Sequence, residues 1–371
     1  AGGAAADAAA AAAATPAATP AVIRKQYPKT SDGTPKYHVV VTADGATYVK
    51  WQCRVNYYYY KKMKEQYPDS AMGGYTRLLH SGAPDSLMGE IPTVVVDPLK
   101  SGDMGYVVLN RPWAFEQWLS THEVEEEYIF MSEPDHVYLK PPPNWATPEY
   151  GAAFPFFYIN PKEFKETINK FNHAQAPVST MDPIGNSPVV LPARVLKKIV
   201  PVWNKIALAM KKDSEANQKF GWVLEMYAYS VASAQFGFRY ELHPEYMLQP
   251  PWDEKYFVRG CTPKLGDSWS PNVKCSPREA YMIHFTYGND YDLNGKFTPG
   301  KFGQWRFDKR SYMARPPPQN LEMPPAGTNP VVVKLIEHIN EASAALPNWD
   351  TLGAPARGLK SVTAHGDPWR R

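Results

Sequence analysis

The sequence is short of cysteine, of net charge and of long apolar runs, and each shortage excludes a class of protein. Three of the 371 residues are cysteine, which is too few for a disulfide-stabilised scaffold. The formal net charge is +3 at pH 7, and no basic run provides the footprint of a nucleic-acid-binding protein. No apolar run approaches the roughly 20 residues of a membrane helix. We therefore expect a globular protein that does not bind nucleic acid.

Motifs of several well-known enzyme classes are also missing. The chain has no Walker-type loop and no G-x-G-x-x-G loop, which argues against P-loop enzymes and dinucleotide-dependent oxidoreductases. It has neither a G-x-S-x-G elbow nor an H-E-x-x-H helix, the signatures of α/β-hydrolases and zinc metalloproteases. Any chemistry must therefore come from another set of residues.

Two of the cysteines, Cys261 and Cys275, bracket a loop that contains Pro and Gly, whereas Cys53 lies in an aromatic helix pattern. A bridge between Cys261 and Cys275 is expected if the protein works in a secretory compartment, and two reduced loop thiols are the equal alternative. Proline is abundant at 37 residues, which predicts long ordered loops with fixed backbone angles.

Residues 1–35 are rich in Ala, Thr and Pro and have no amphipathic face. The Pro, Gly and Thr breaks predict a flexible spacer despite the helix propensity of Ala. Such a spacer fits the stem of a membrane-anchored secretory enzyme, and it equally fits an ordinary disordered tail. No change in composition divides the remainder, so we expect one domain over residues 36–352 and a tail over 353–371.

From residue 36 onward, strand and helix patterns alternate along the chain. Strands are predicted at 36–43, 73–81, 91–98 and 128–131, and helices at 49–67 and 111–122. In the less regular second half, strands are predicted at 154–159, 281–288 and 303–310, and helices at 161–172, 192–212, 217–236 and 329–346. The alternation predicts an α/β domain with a largely parallel sheet, whose ligand cleft lies beyond the carboxyl ends of the strands.

Two carboxylates and an imidazole follow the buried strand at 128–131. Glu133 and Asp135 are two residues apart, so in an extended backbone they point to the same face and can converge on one cation. Mg²⁺ and Mn²⁺ accept such oxygen ligands, usually with substrate phosphates. An acidic surface turn paired with Lys or Arg is the alternative, but the position after a buried strand favours a metal site. His136 can then point away from the metal, toward a supporting or substrate role.

A second histidine, His284, lies in an apolar and aromatic strand pattern that leads into a turn with Asn289, Asp290 and Asp292. A lone histidine on such a strand is usually a core residue. Because the following turn can open onto a cleft, His284 is also a candidate nitrogen ligand in a mixed oxygen and nitrogen site.

Fixed positive charge is needed wherever a phosphate binds, and arginine suits bidentate phosphate contacts. Arg77 and Arg111 are the stronger candidates for phosphate binding because each lies at the end of a predicted strand or helix. Any single arginine is nevertheless more often part of a surface ion pair. The full set of candidate donor-binding residues is Thr42, Arg54, Arg77, Arg111, Asn186, Arg306 and Lys309.

Two further carboxylates are candidates for catalysis. Glu225 lies inside an apolar helix pattern, where it is either a paired structural residue or a group that reaches into the cleft. Asp182 belongs to a turn-rich loop with Asn186 and Ser187 that is suited to hydrogen-bonding sugar hydroxyls, and an ordinary capped turn is equally consistent with that loop.

Nine sequence blocks occur in order along the chain and together resemble one family. They are WQCR, GGYTRLLHSG, GYVVLNRPWAF, EPDHVY, AAFPFFYI, DPIGNSPV, GWVLEMYAY, MLQPPWD and RFDKR. The chain thereby resembles the plant and green-algal peptidyl hydroxyproline O-arabinosyltransferases from about Tyr37 to Leu352. The Ala-rich start, the last residues and the insertion around Cys261–Cys275 lie outside the resemblance.

The resemblance implies a GT-A glycosyltransferase fold, in which a Rossmann-like sheet binds the nucleotide sugar and a second half binds the acceptor. Glu133 and Asp135 occupy the position of the D-x-D metal motif of that fold, and His284 matches its later metal-binding histidine. Glu133 departs from the usual aspartate, which makes Asp135 the safer ligand. The implied cofactor is Mn²⁺ or Mg²⁺.

The resemblance also implies the substrates and the location. The donor is UDP-β-L-arabinofuranose, and the acceptor is the 4-hydroxyl of hydroxyproline in extensin-like cell-wall proteins. Such enzymes are Golgi type II membrane proteins, which implies an anchor that is absent from this chain. Transfer is expected to retain configuration, with Glu225, Asp182 or Asp253 orienting the acceptor or stabilising the reacting centre.

The acceptor is expected to bind as an extended polyproline II segment in an aromatic groove beside the metal site. The candidate groove residues are Trp113, Phe115, Tyr227, Trp252, Tyr287 and Trp305, most of which are individually expected to be core residues. Two alternatives remain open at this stage: a peptidyl-serine galactosyltransferase with the same fold and metal, and a non-catalytic binder of Pro-rich glycoproteins.

Overall fold

The computed structural model describes residues 25–252 and 280–352. The strands are β1 Tyr37–Ala43, β2 Met72–Leu79, β3 Thr93–Val95, β4 Tyr128–Met131, β5 His136–Tyr138, β6 Tyr150–Ala153, β7 Val189–Pro192, β8 Arg239–Leu242, β9 Met247–Leu248, β10 Met282–His284, β11 Asn289–Tyr291 and β12 Trp305–Phe307. The helices are α1 Thr47–Gln66, α2 Asn110–Thr121, α3 Lys165–Asn169, α4 Ala193–Lys212, α5 Ser214–Phe220, α6 Leu224–Gln235 and α7 Pro330–Ala345.

Several sequence-based predictions lie outside the described residues. They are the bridge between Cys261 and Cys275, the role of Asp253, most of the spacer over 1–35 and the tail over 353–371. The division of the chain into a spacer, one domain and a tail therefore stays a prediction. Within the described ranges, no helix is long and apolar enough to cross a membrane.

The main sheet has seven strands in the order β3-β2-β1-β4-β7-β6-β8. The four strands from β3 to β4 are parallel, whereas β7 runs antiparallel to both β4 and β6, and β8 is parallel to β6. The α/β prediction is confirmed, with a Rossmann-like parallel half. The predicted parallel order ends at β7, where the chain reverses direction.

The central strand β1 is buried along most of its length because it is covered on both faces. Val39, Val40 and Val41 are all fully buried, which is typical of an apolar, β-branched parallel strand. Helix α1 packs against β1, β5 and α7, and α4 packs against α2, α6, β4 and β7. The hydrophobic core therefore surrounds the parallel half of the sheet.

A small second sheet connects the end of β4 to the C-terminal part of the chain. Its strands are ordered β5-β10-β9, and β5 pairs antiparallel with β10 so that His136 lies opposite His284. The turn between β4 and β5 carries Glu133 and Asp135. The fold thus brings the two regions that the sequence singled out, 133–136 and 284, to the same place.

Three local predictions in the second half were wrong. The strand expected at 154–159 is a loop, and the actual strand is β6 immediately before it. Phe154, Phe156 and Ile159 are nevertheless buried, so their apolar character reflects core packing of a loop. The helix expected at 217–236 is broken at Gly221, whose φ of 49° lies in the left-handed region. The helix expected at 161–172 shrinks to α3.

Candidate active site

The acidic turn between β4 and β5 is held by a side chain of helix α1. The Asn56 side-chain amide donates hydrogen bonds to the carbonyl oxygens of Glu133 at 3.2 Å and His136 at 2.8 Å. Its own amide oxygen accepts a hydrogen bond from the hydroxyl of Tyr75 at 2.8 Å. Because Asn56 is fully buried, these bonds fix the turn from the core side. Sequence reasoning missed Asn56, although a polar residue within the aromatic pattern of α1 was a usable signal.

Asp135 lies at the centre of a group of nitrogen donors. Its Oδ2 atom is 3.1 Å from Nε2 of His284, and it accepts a hydrogen bond from the ammonium group of Lys309. Burial opposes ionisation of this carboxyl, but the neighbouring His284 and Lys309 hold its pKa well below the usual range. Asp135 is therefore a carboxylate at neutral pH, and its charge is balanced by side chains distant in sequence.

Arg111 at the start of α2 connects four of the predicted residues. Its guanidinium donates to Glu133 at 2.6 Å and to Glu225 at 3.1 Å. It also donates to the side-chain oxygens of Asn186 at 3.1 Å and Thr42 at 3.4 Å. These contacts join the ends of β1 and β4, the loop before β7 and the first turn of α6, so one arginine organises this edge of the sheet.

Glu225 has an unusual environment for a carboxyl group. Burial raises its pKa to about 7, although Arg111 opposes the shift, and the nearby Glu133 adds to it. One oxygen, Oε2, faces Arg111, whereas Oε1 is buried and has no hydrogen-bond partner among the residues that the structure describes. Burial likewise raises the pKa of Glu133. A single guanidinium is shared by two carboxyl groups, so neither is fully compensated.

The predicted metal ligands are only partly assembled. Oδ2 of Asp135 and Nε2 of His284 are 3.1 Å apart, close to the ~3.0 Å expected for neighbouring ligands on one octahedral ion with bonds of about 2.1 Å. Glu133 is turned toward Arg111 instead. Across residues 25–252 and 280–352, no group of three His, Cys, Asp or Glu side chains is arranged to hold a metal. A metal ion held by Asp135 and His284 would therefore take its remaining ligands from phosphate and water.

His136 supports this corner without pointing at the acidic side chains. Its Nδ1 accepts a hydrogen bond from the backbone N–H of Glu133 at 3.3 Å and lies 3.1 Å from the hydroxyl of Ser132. Its ring packs edge-on against the ring of His284, with centroids 4.8 Å apart. Burial, together with His284, keeps the pKa of His136 well below its usual value. We interpret His136 as a neutral residue that orients His284.

Arg54 and Arg77 are not brought into this cluster. Arg54 donates to both carboxylate oxygens of Glu90, at 2.8 and 2.9 Å. Arg77 is fully buried in β2 and makes a bidentate ion pair with Asp85, at 2.6 and 2.9 Å. Both guanidinium groups are occupied by nearby carboxylates, which gives each a structural role in the described fold.

Asp182 and Arg306 also have partners elsewhere. Asp182 accepts a bidentate pair of hydrogen bonds from Arg239, the shortest at 2.7 Å, and a further one from the backbone N–H of Tyr240 at 3.0 Å. Arg306 lies between Asp290 at 3.0 Å and Asp308 at 2.8 Å. Asp182 therefore ties its loop to β8, and Arg306 belongs to the β11–β12 hairpin.

Several tyrosines complete the surroundings of the cluster. Lys309 lies 5.9 Å from the centroid of the Tyr48 ring, and the backbone N–H of Glu225 donates to the hydroxyl of Tyr106 at 3.3 Å. Burial raises the pKa of Tyr158, and Tyr287 and Glu133 add to the shift. Sequence reasoning missed Tyr48, Tyr106 and Tyr158, because no local signal distinguishes them among 23 tyrosines.

Described residues line two cavities outside the carboxylate cluster. One of about 340 Å³ is bounded by Trp252, Tyr287 and the β11–β12 hairpin, and its wall includes Asp308, the neighbour of Lys309. The other, of about 680 Å³, lies between Lys162, Lys165 and the loop at 172–179. Neither cavity is lined by a residue of the cluster, but Asp308 in the wall of the smaller one is the chain neighbour of Lys309, which makes the smaller cavity the better candidate for a substrate subsite.

Comparison with known proteins identifies the family. The chain matches the family models described as the hydroxyproline O-arabinosyltransferase family N-terminal domain, over residues 37–242, and C-terminal domain, over residues 281–350. Hydroxyproline O-arabinosyltransferase 1 of Arabidopsis thaliana is 54% identical over 316 residues, which cover 84% of this chain and 81% of that protein. Hydroxyproline O-arabinosyltransferase RDN2 of Medicago truncatula is 52% identical over 325 residues, which cover 87% of this chain and 84% of that protein.

Two more distant similarities complete the comparison. Peptidyl serine alpha-galactosyltransferase of Arabidopsis thaliana is 24% identical over 303 residues, which cover 75% of this chain but only 32% of that protein. Among solved structures, the galactosyltransferase LgtC in complex with donor and acceptor sugar analogs aligns with 67% of this chain and 86% of its own, at 13% identity and a TM-score of 0.36.

The family match and the mixed sheet bear out the predictions of an α/β fold and of a glycosyltransferase. The matched regions include the acidic turn, Arg111, Glu225, His284 and Lys309. The chain belongs to the hydroxyproline O-arabinosyltransferase family.

Proposed function

We propose that this protein transfers L-arabinofuranose from UDP-β-L-arabinofuranose to the 4-hydroxyl of hydroxyproline in extensin-like peptides. The observation that carries the proposal is the convergence of Asp135, His284 and Lys309 beside the Arg111–Glu133–Glu225 network. It provides a cation-binding corner next to buried carboxyl groups, at the edge of the sheet where ligands bind. Relatives with about half of the aligned residues identical are named hydroxyproline O-arabinosyltransferases, which supports the acceptor and the sugar class.

Asp135 and His284 would hold the divalent cation, Mn²⁺ or Mg²⁺. When bound, such an ion supplies charge stabilisation to a departing diphosphate. Lys309 adds a second positive charge at the same carboxylate and is the basic residue best placed for a phosphate contact. Four of the five N–H donors of Arg111 contact Glu133, Glu225, Asn186 and Thr42, so we assign Arg111 mainly to the carboxyl groups, and its contact with the donor stays a prediction. Its role is to hold the two carboxyl groups in place.

The sugar lies on the side of Glu225. With a β-linked donor and a β-linked product, the bond from the anomeric carbon to phosphate breaks, and the bond to the hydroxyproline oxygen forms on the same face. The hydroxyl proton passes to the departing phosphate oxygen, so no protein base is obligatory. Glu225 offers its unpartnered Oε1 to a sugar hydroxyl or to the positive charge that develops at the anomeric carbon.

A panel of sugar nucleotides and peptides tests the function. The purified protein is incubated with UDP-arabinofuranose, UDP-arabinopyranose or UDP-galactose and with a hydroxyproline peptide or a serine peptide. We expect mass spectrometry to find a pentose on the hydroxyproline peptide, from UDP-arabinofuranose only. A hexose on the serine peptide would favour the galactosyltransferase alternative, which rests on the 24% identical relative. Binding of peptide without binding of any UDP-sugar would favour the non-catalytic alternative.

We also propose that the enzyme works in the Golgi lumen, as the resemblance implies. Imaging of the tagged full-length gene product against a Golgi marker tests the location, and signal confined to the cytosol would contradict it.

A further inference from the structure

The cavity of about 340 Å³ has the composition of an aromatic recognition surface. We call it the aromatic pocket, and its lining includes Trp252, Tyr287, Phe297, Pro299, Phe302 and Arg306. Trp252 is 55% exposed and Phe302 is 84% exposed. Burying either ring against a partner would be favourable, and neither is needed for the core.

The rings of the aromatic pocket are held in defined orientations. Trp252 stands perpendicular to Phe297, with centroids 5.1 Å apart, and also perpendicular to Tyr287, at 6.5 Å. The guanidinium of Arg306 lies 4.4 Å from the centroid of the Phe302 ring, and Arg306 is itself fixed by Asp290 and Asp308. The pocket therefore presents several aromatic rings at defined angles and distances from one another.

Two chain segments connect the aromatic pocket directly to the active site. Tyr287 follows His284 by three residues, and Asp308 in the pocket wall precedes Lys309, which contacts Asp135. In addition, Tyr287 interacts with Tyr158, which lies close enough to Glu133 to be affected by its charge. A ligand in the pocket would therefore lie beside the reacting groups.

We propose that the aromatic pocket binds a hydroxyproline ring of the acceptor next to the one that is modified, and so selects acceptors in the polyproline II conformation. The inference rests on the proposed function and assigns a subsite to it. Among the aromatic residues considered from sequence, Trp252 and Tyr287 line the pocket, whereas Phe115, Tyr227 and Trp305 are buried in the core and Trp113 packs against it.

The chemistry of the pocket matches that occupant. Consecutive hydroxyprolines form a polyproline II helix with three residues per turn, so rings project at regular intervals and little conformational entropy is lost on docking. Aromatic grooves recognise such helices through flat contacts with the rings. Asp290, Asp308 and Arg310 in the wall supply polar groups for the ring hydroxyls, which an ordinary proline lacks.

Peptide titration separates this inference from the proposed function. Binding of a run of consecutive hydroxyprolines to the full chain is measured by calorimetry for wild type, Trp252→Ala and Phe302→Ala. Phe236→Ala is the matched control, because this exposed phenylalanine lies at the opposite end of α6 from Glu225. Arabinose transfer by the wild type is measured in parallel as the separate test of function.

We expect Trp252→Ala and Phe302→Ala to weaken peptide binding by about tenfold, the effect of losing one well-packed aromatic contact, and Phe236→Ala to leave it unchanged. Wild-type affinity in both pocket variants would overturn the inference even if arabinose is transferred.

A change of oligomeric state in Phe302→Ala with normal peptide binding would assign the pocket to a second copy of the chain and would also overturn the inference. Pocket-dependent binding without transfer would uphold the pocket and refute the function.

Discussion

At the scale of single residues, the acid–base character of the site follows from the sharing of Arg111. Its guanidinium contacts both Glu133 and Glu225, and one positive charge cannot compensate two buried carboxylates. Burial therefore raises the pKa of Glu225 to about 7 and shifts that of Glu133 upward. The pKa of Asp135 is instead lowered, because His284 and Lys309 both face its carboxylate.

The raised pKa of Glu225 predicts a pH-dependent stability. Between its ordinary value of 4.5 and about 7, the folded protein holds a proton on Glu225 that the unfolded chain releases. The contribution of Glu225 to the free energy of unfolding is thus fully present below pH 4.5 and is lost as the pH rises through about 7. Through this group, the free energy of unfolding of the wild type should fall by on the order of 2 kcal/mol between pH 5 and 8. We expect Glu225→Gln to abolish that fall. Denaturant unfolding at several pH values measures it.

Glu133 complicates this measurement because its pKa is also raised. The relevant quantity is therefore the difference between wild type and Glu225→Gln at each pH, not the wild-type curve alone. Parallel stability curves for the two proteins from pH 5 to pH 8 would show that Glu225 does not titrate in this range and would contradict the prediction.

Residue types and local patterns indicated some members of this cluster and not others. Asp135 and His284 were identifiable because each sits at or near the end of a buried strand. Arg54, Arg77, Asp182 and Arg306 were not separable from Arg111 and Lys309, because a charge in a sequence carries no information about its partner. The first four are paired with oppositely charged side chains outside the cluster, and these pairs form only in the folded chain. The partners are Glu90, Asp85, Arg239 and Asp290.

At the scale of elements, the site depends on how α1 holds the turn between β4 and β5. Asn56 makes two hydrogen bonds to that turn and accepts one from Tyr75. Gln52, one turn earlier on α1, is also buried, but its amide nitrogen donates to the carbonyl of Tyr48 within the same helix. The two side chains therefore form a matched pair in which only Asn56 supports the site.

We expect Asn56→Leu to lower the free energy of unfolding by about 2–3 kcal/mol, since buried carbonyls and a hydroxyl lose their partner. It should also weaken Mn²⁺ binding in the presence of UDP, because Asp135 is no longer positioned by the turn. Paramagnetic resonance of free Mn²⁺ measures this, with Asp135→Asn as the variant that removes a ligand and is expected to bind at least about tenfold more weakly. Gln52→Leu should bind Mn²⁺ normally. Equal Mn²⁺ affinity in wild type and Asp135→Asn would refute the metal assignment.

The elements of the first half were predictable from pattern, whereas those of the second half were less so. Alternating β-branched strands and long helices identify β1, α1, β2 and β4 because each period repeats over enough residues. The strand prediction at 154–159 was wrong because the apolar residues there belong to a buried loop, whose sequence pattern resembles that of an apolar strand. The reversal at β7 carries no local signal, since an apolar strand reads the same in either direction.

At the scale of the whole molecule, the charged groups that tie the fold together are different from those of the candidate active site. The buried ion pair Arg77–Asp85 and the partly exposed pair Asp182–Arg239 hold loops around the sheet. Asp135, His284, Lys309, Arg111 and Glu225 instead converge at one edge of it. The family and its implied chemistry were recognisable from ordered sequence blocks. The arrangement of the arginines and the aromatic pocket required the three-dimensional structure, because both depend on contacts between distant segments.

Two buried aspartates allow the most direct test of this division, because both were candidates from sequence and only one lies in the cluster. The rate of arabinose transfer to a run of hydroxyprolines is measured for wild type, Asp135→Asn and Asp182→Asn, each normalised to the folded fraction at the assay temperature. We expect Asp135→Asn to lose at least about 100-fold in kcat/KM, as removal of a group that stabilises the leaving diphosphate should do. Asp182→Asn should be less stable but retain its rate per folded molecule. Full activity of Asp135→Asn, or loss of activity in folded Asp182→Asn instead, would contradict the assignment of the active site to the Asp135–His284–Lys309 corner.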